Sequence, residues 1–182
     1  MKFLKIVVIV FSVLVITAIS FLWYLEFFAT VKVNEKEEGG YTIAGLEVAG
    51  SYGKLGKHMV EVDSKLRKLG IISPEGFGIF YNDPKTTPEE KCHSFVGNII
   101  NYNDLKKAKE IESRGLKIDS ISKTKALVVE FPIKNSMSYM IGPMKAYPLL
   151  SKHLKEKKYT FLLSFEIYDH VENKIIFVMQ YI

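Results

Sequence analysis

Residues 77–81 read Phe-Gly-Ile-Phe-Tyr, and residues 165–169 read Phe-Glu-Ile-Tyr-Asp. Both stretches share the pattern Phe-x-Ile-aromatic and are rich in residues that are enriched in strands. Each lies 23 to 27 residues after a Gly-Ser or Gly-Pro pair, Gly50-Ser51 in the first case and Gly142-Pro143 in the second. We interpret this repetition as an internal duplication of a strand–helix–strand–strand unit. Chance similarity between two short aromatic strands is the alternative.

The first unit, about residues 41–100, contains one clearly periodic helix. Apolar residues recur at spacings of three and four from Tyr52 to Leu69, which predicts one face of an α-helix over residues 51–69. Ser51 is a candidate N-cap, and Gly70 is a candidate left-handed residue after the helix. Strands are predicted at 41–48, 77–81 and 92–100, and Asn82-Asp83-Pro84 breaks the second of them.

The second unit, about residues 116–182, repeats this order. A helix is predicted to open at Gly142-Pro143, with Tyr147 on its apolar face and Pro148 either in the first turn or at a kink. Strands are predicted at 117–122, 126–131, 137–141, 161–168 and 174–182, and residues 103–112 form a connecting helix or loop. The fold class is therefore α+β, with antiparallel sheets and a ligand cleft between the two units.

The N-terminus is predicted to be a transmembrane anchor over residues 1–29. From Ile6 to Leu25 there are twenty residues without a formal charge, enough to cross a hydrocarbon core of roughly 30 Å. Trp23 and Tyr24 lie at the far end of the run, where such rings prefer the membrane interface. The sequence thus predicts a single-pass membrane protein whose partner is the lipid bilayer.

A cleaved signal peptide is the competing interpretation of this segment. Ala18-Ile19-Ser20 is a poor cleavage site, and the apolar run is longer than a typical signal-peptide core. Lys2 and Lys5 precede the run, so the positive-inside rule favours a cytoplasmic N-terminus and an extracytoplasmic domain. Glu26 ends the run, and residues 30–40 form a charged tether before the domain at 41–182.

Composition excludes several other classes of protein. The chain has 182 residues, of which 25% are charged and 48% hydrophobic, so it should fold. Its net charge of +5 is spread over interleaved lysines and acids, which argues against a nucleic-acid partner. One cysteine, Cys92, excludes a disulfide framework or a cysteine zinc cluster. The four histidines show no metal-ligand spacing, so we expect no metal and no cofactor.

The order and spacing of several short motifs resemble the GyrI-like small-molecule-binding domains, the superfamily of the AraC-type effector-binding domains. The resemblance covers about residues 39–182 and suggests a bacterial, membrane-anchored form. The motifs are Gly50-Ser51-Tyr52-Gly53-Lys54-Leu55, the run from Phe77 to Pro84, Pro88-Glu89-Glu90-Lys91, Ile141-Gly142-Pro143 and Phe165-Glu166-Ile167-Tyr168.

The resemblance implies an effector cleft with a glutamate facing aromatic residues, and Glu166 is the matching position. Alternation along a strand puts Ser164, Glu166 and Tyr168 on one face. The register of the duplication places Gly78 opposite Glu166 and Phe80 opposite Tyr168, so the glycine leaves space beside a carboxylate. A small hydrophobic ligand is expected there, and a lipophilic cation suits the carboxylate and rings.

Three alternatives to this binding site stay open. Glu166 faces water or pairs with a lysine in the first, as most strand glutamates do. In the second, the cleft belongs to a hydrolase of small electrophilic compounds, with Glu166 as general base and Tyr168 as proton donor. In the third, the domain is a protein-interaction module with an exposed apolar patch and no small ligand, and its protein partner is not indicated by the sequence.

Overall fold

The computed structural model describes residues 2–24, 29–83 and 86–182. Leu25, Glu26 and Pro84, which end the predicted span and break the predicted strand, lie outside the described residues. The strands are β1 (Asn34–Glu38), β2 (Tyr41–Ala49), β3 (Glu75–Phe80), β4 (His93–Ile100), β5 (Lys117–Ile121), β6 (Thr124–Pro132), β7 (Phe161–Asp169) and β8 (Lys174–Tyr181). The α-helices are α1 (Lys2–Tyr24), α2 (Leu55–Arg67), α3 (Ala108–Ser113) and α4 (Ser138–Glu156).

The eight strands form one antiparallel sheet in the order β1-β6-β8-β7-β3-β4-β2-β5. The order is symmetric about the β7–β3 junction, because β2-α2-β3-β4 on one side matches β6-α4-β7-β8 on the other. The predicted α+β fold with a duplicated strand–helix–strand–strand unit is confirmed. The two expected sheets are joined edge to edge through β3 and β7.

The sheet curls into a half-barrel, and short connections join each edge strand to a strand beside the opposite edge, β1 to β2 and β5 to β6. Only Gly39 and Gly40 separate β1 from β2, yet β1 pairs with β6 while β2 pairs with β4 and β5. The buried Gln180 closes this crossing by donating from Nε2 to the carbonyls of Glu38 at 2.9 Å and Ser122 at 2.8 Å. Gly39 has φ +122° and a Cβ there would lie 2.3 Å from the Ser122 oxygen, so the crossing requires glycine.

The core has three parts on the two faces of the sheet. Phe77, Phe165 and Ile167 belong to the cluster on the face without helices. The helices share the opposite face, where Leu66 of α2 packs in one cluster and Leu150 of α4 in another. This arrangement leaves the middle of the helix-covered face, above the β3–β7 junction, between the two helices.

The predicted first helix is confirmed as a 3₁₀ turn followed by α2, with Gly70 left-handed at φ +70°. The expected capping role of the Ser51 side chain is wrong, because its hydroxyl makes no capping hydrogen bond. The backbone carbonyl of Ser51 instead accepts from the Lys54 amide at 3.1 Å. Between residues 103 and 112 the chain is helical, as a 3₁₀ turn continued by α3.

The predicted strand at 137–141 is wrong, because α4 already begins at Ser138. The buried Ser138 hydroxyl accepts from the Lys134 and Asn135 amides, which orders the turn before the helix. Gly142 lies inside α4, where a Cβ would meet the Phe177 ring at 2.9 Å, so it allows close packing on the sheet. Packing thus outweighs the break suggested by Gly142-Pro143, and Pro148 lies well inside the helix rather than in its first turn.

The N-terminal helix is exposed along nearly all of its length. Phe3–Tyr24 is long and apolar enough to cross a membrane, with a mean hydropathy of 2.8. From Phe3 to Tyr24 its residues are exposed, apart from the half-buried Leu22. A signal sequence has the same length and composition, so these two properties fit both a membrane anchor and a signal sequence.

Candidate functional site

The five residues predicted for the site lie on the helix-covered face at the β3–β7 junction. Gly78 pairs with Glu166, as the duplication suggested. Tyr168, however, pairs with Gly76, so the expected placement of Phe80 opposite Tyr168 is wrong. The reason is that β3 and β7 run antiparallel about the symmetry axis, so equivalent residues oppose each other only at that axis. Phe80 therefore lies toward the end of β7 that carries Ser164.

Glu166 is a buried carboxyl group, with 4% of its surface exposed. The Tyr168 hydroxyl donates to its Oε2 at 2.6 Å, and the Tyr147 hydroxyl of α4 donates to its Oε1 at 2.8 Å. Loss of water raises the pKa of Glu166 from 4.5 to about 7, although the two hydrogen bonds act in the opposite direction. Within the described residues, no lysine, arginine or histidine is among the groups that shift this pKa.

Ser164 adds a second polar group beside the carboxylate. Its Oγ is buried and has no hydrogen-bond partner of good geometry among the described residues. It lies close enough to Tyr147 to act on that phenol, whose pKa it lowers against the larger upward effects of burial and Glu166. An unpartnered buried hydroxyl costs free energy, so this oxygen is available to a bound molecule.

The space above Gly78 is covered by one side chain from its own strand and one from α2. A Cβ at Gly78 would lie 3.2 Å from the Phe80 ring and 3.6 Å from the Met59 methyl group of α2. Tyr52 packs edge-on against Phe80, with ring centroids 5.0 Å apart. The room expected from the missing side chain of Gly78 is therefore filled by Phe80 and Met59.

Two residues of the site, Tyr147 and Tyr139, are not predicted by the sequence motifs. Tyr147 was recognised only as part of a helical face, and Tyr139, whose ring centroid lies 5.9 Å from that of Tyr168, was assigned to a strand. The duplication contained a signal for Tyr147, because 19 residues separate it from Glu166 and the same interval separates Met59 from Gly78. Each helix thus sends an equivalent side chain onto the centre of the sheet.

The arrangement suits two kinds of chemistry. Burial and the neighbouring Glu166 raise the pKa of both phenols, Tyr147 and Tyr168, well above 10, so both stay protonated as donors. A carboxyl group that titrates near neutrality accepts a cation once it is ionised, and it also matches the requirement for a general base.

No family model matches the chain. It is 28% identical over 154 residues to the testis-expressed protein 264 homolog of Mus musculus, an alignment that covers 82% of this chain and 48% of the mouse protein. The chain thus spans about half the length of the curated relatives that it matches.

Solved structures share the fold at low sequence identity. The EcmrR C-terminal domain superposes with a TM-score of 0.58 at 11% identity, over 84% of this chain and 98% of that one. A hydrolase from Listeria innocua has a TM-score of 0.50 at 10% identity, over 89% of this chain and 98% of that one. The fold expected from the GyrI-like resemblance is therefore confirmed, and at these identities the likeness concerns the fold alone.

Proposed function

We propose that the domain binds a small lipophilic cation at Glu166, between α2 and α4. The observation that carries the proposal is a buried carboxylate with two phenolic donors and no cationic group acting on it in the described part of the chain. An ionised carboxylate in such surroundings is costly unless a positive charge joins it. A ligand that carries this charge removes the cost.

The surrounding side chains fit the rest of such a ligand. Phe80, Tyr168 and Tyr147 present aromatic surface around the carboxylate, which attracts an organic cation through the ring quadrupole and buries its apolar groups. Ser164 supplies one further hydrogen-bonding oxygen.

Binding is tested by calorimetric titration of residues 29–182 with tetraphenylphosphonium and its neutral analogue triphenylphosphine oxide. Glu166→Gln keeps the shape and removes the charge, so it should weaken the cation by roughly 1–3 kcal/mol and leave the neutral compound nearly unchanged. Glu47→Gln, on an exposed strand position, is the matched control. Equal loss for both compounds would make Glu166 a structural residue.

We also propose that α1 is an uncleaved single-pass anchor that holds the domain outside the cytoplasm. The length and hydropathy of Phe3–Tyr24 and the preceding Lys2 and Lys5 support this topology. The full-length chain should then stay with membranes, and a reporter fused after Ile182 should be active outside the cytoplasm. Release of a fragment that starts near Phe21 would identify a signal peptide instead.

A hydrolase is the second candidate function, and the pKa of Glu166 near 7 favours it. A base with this pKa is half ionised at neutral pH and can take a proton from an attacking water. The Tyr168 hydroxyl gives its proton to the leaving oxygen and takes one back from protonated Glu166, to which it is hydrogen-bonded at 2.6 Å. Turnover of p-nitrophenyl acetate that disappears in Glu166→Gln, and persists in Glu47→Gln, would support the enzyme. Binding of the cation without turnover of the ester would favour the binding domain.

A further inference from the structure

Exposed apolar side chains form a stripe along the N-terminal half of α4. Tyr139 is 43% exposed, Met140 53% and Met144 66%. Met140 and Met144 are one helical turn apart, so they lie on the same outward face. Between residues 137 and 151 the only charged side chain is Lys145. We call Tyr139, Met140 and Met144 the α4 stripe.

The α4 stripe lies beside the C-terminal end of α1. Asn135, just before α4, donates from Nδ2 to the Tyr24 carbonyl at 3.1 Å. Lys145 donates from Nζ to the Ala29 carbonyl at 2.6 Å, and Ala29 packs against the core cluster under α4. These contacts bracket the stripe in sequence, so Tyr24 at the end of α1 and Ala29 both lie beside this half of α4.

The position of α1 decides what faces the stripe. A helix of this length that crosses a bilayer places Tyr24 at the membrane–water interface, where tyrosine and tryptophan side chains collect. Since Asn135 contacts the Tyr24 carbonyl, the start of α4 then lies within one side-chain length of that interface. A water-exposed apolar surface in this position would be next to lipid.

We propose that the α4 stripe lies against the lipid bilayer that α1 crosses. The inference rests on the anchoring role proposed for α1. Methionine and tyrosine side chains suit shallow insertion at the headgroup–acyl boundary. The first turn of α4 carries no acidic residue that an anionic headgroup would repel, and Lys145 is held toward the tether.

This contact also brings the ligand site to the membrane. The Tyr139 ring belongs to the α4 stripe and packs at 5.9 Å from the Tyr168 ring, which in turn donates to Glu166. The ligand class that fits both features is an amphiphilic cation that partitions into the interface. A cation of this class reaches Glu166 from the lipid side of α4 after a movement of Tyr139.

The stripe is tested by spin labelling of the full-length chain in phosphatidylcholine vesicles. Nitroxides are attached at Met140→Cys and Met144→Cys, with Val60→Cys of α2, 71% exposed, as the apolar control away from the tether. A label at Val13→Cys in the middle of α1 reports the anchor. Cys92 stays in place because it is buried, and the unsubstituted chain gives the background.

Collisions of each label with oxygen, which concentrates in lipid, are compared with collisions with an aqueous nickel chelate. The stripe labels should favour oxygen, and the Val60→Cys label should favour nickel. If the Val13→Cys label is in lipid while the stripe labels favour nickel, the stripe faces water and the proposal fails while the anchor stands. Stripe labels shielded from both reagents would mean that a protein covers this face, which also overturns it. A Val13→Cys label in water would remove the anchor and this inference together.

Discussion

The ionisation of Glu166 should make the stability of the domain fall as the pH rises toward neutrality. Its pKa is about 7 in the folded state and 4.5 when it is fully solvated. Folding therefore favours the protonated form. Below about pH 4.5 Glu166 is protonated in both the folded and the unfolded state, and its full contribution to the free energy of unfolding is present. This contribution is lost as the pH rises from 4.5 to 7, and it stays lost above 7.

The size of the effect follows from the difference of 2.5 between these two pKa values. At about 1.4 kcal/mol for each unit, the free energy of unfolding should drop by roughly 3 kcal/mol across this pH window. Glu166→Gln resembles the protonated carboxyl group in shape and hydrogen bonding, and it does not titrate. The variant should therefore lack this drop and be more stable than the unsubstituted domain at pH 8.

The assay is urea unfolding of residues 29–182 at pH values from 4.5 to 8, followed by circular dichroism. The informative quantity is the difference between the two proteins at each pH, because other carboxyl groups titrate in both. Glu47→Gln, on an exposed position of β2, should run parallel to the unsubstituted domain. If Glu166→Gln also runs parallel to it, the carboxylate is solvated or paired and the reasoning from its burial is refuted.

Three further outcomes follow from the same geometry. Because a bound cation stabilises ionised Glu166, the affinity for tetraphenylphosphonium should rise with pH up to about 7. Calorimetry in buffers of different ionisation enthalpy should then detect a proton that is released on binding. If no proton is released, the cation binds elsewhere. Gly78→Leu must displace the Phe80 ring and should abolish cation binding while urea unfolding stays cooperative; unchanged binding would move the site away from β3. Leu66→Ala should lower the free energy of unfolding by about 2–5 kcal/mol, whereas the exposed Lys68→Ala should cost little; equal losses would contradict the assigned helix face.

Local patterns in the sequence were sufficient to predict most of the helices and strands. The three-and-four spacing of apolar residues located α2, and the repeated Phe-x-Ile-aromatic motif located β3 and β7. These signals are strong because burial of one face imposes a period on the side chains. The pairing of Gly78 with Glu166 could also be predicted, since the symmetry of the duplication places equivalent strands side by side.

Interactions between distant parts of the chain could not be predicted in the same way. The start of α4 was misplaced because the close approach of Gly142 to Phe177 is a tertiary contact. The pairing of β1 with β6 brings Asn34 beside Val128, and no local pattern encodes it. The covering of Gly78 by Phe80 depends on a side-chain rotamer, which the sequence does not specify.

The crossing of β1 and β5 between the two units has a consequence for the order of folding. β8 lies inside the sheet between β6 and β7, but residues 174–181 leave the ribosome after every other strand of this sheet. During synthesis the free edge of β3 therefore stays unpaired until β7 has emerged, and β1 stays unpaired until β6 has emerged. Such non-local pairing gives a high contact order and slow folding. We expect the sheet to close only once β8 has emerged, and until then the edges of β6 and β7 that pair with β8 stay exposed.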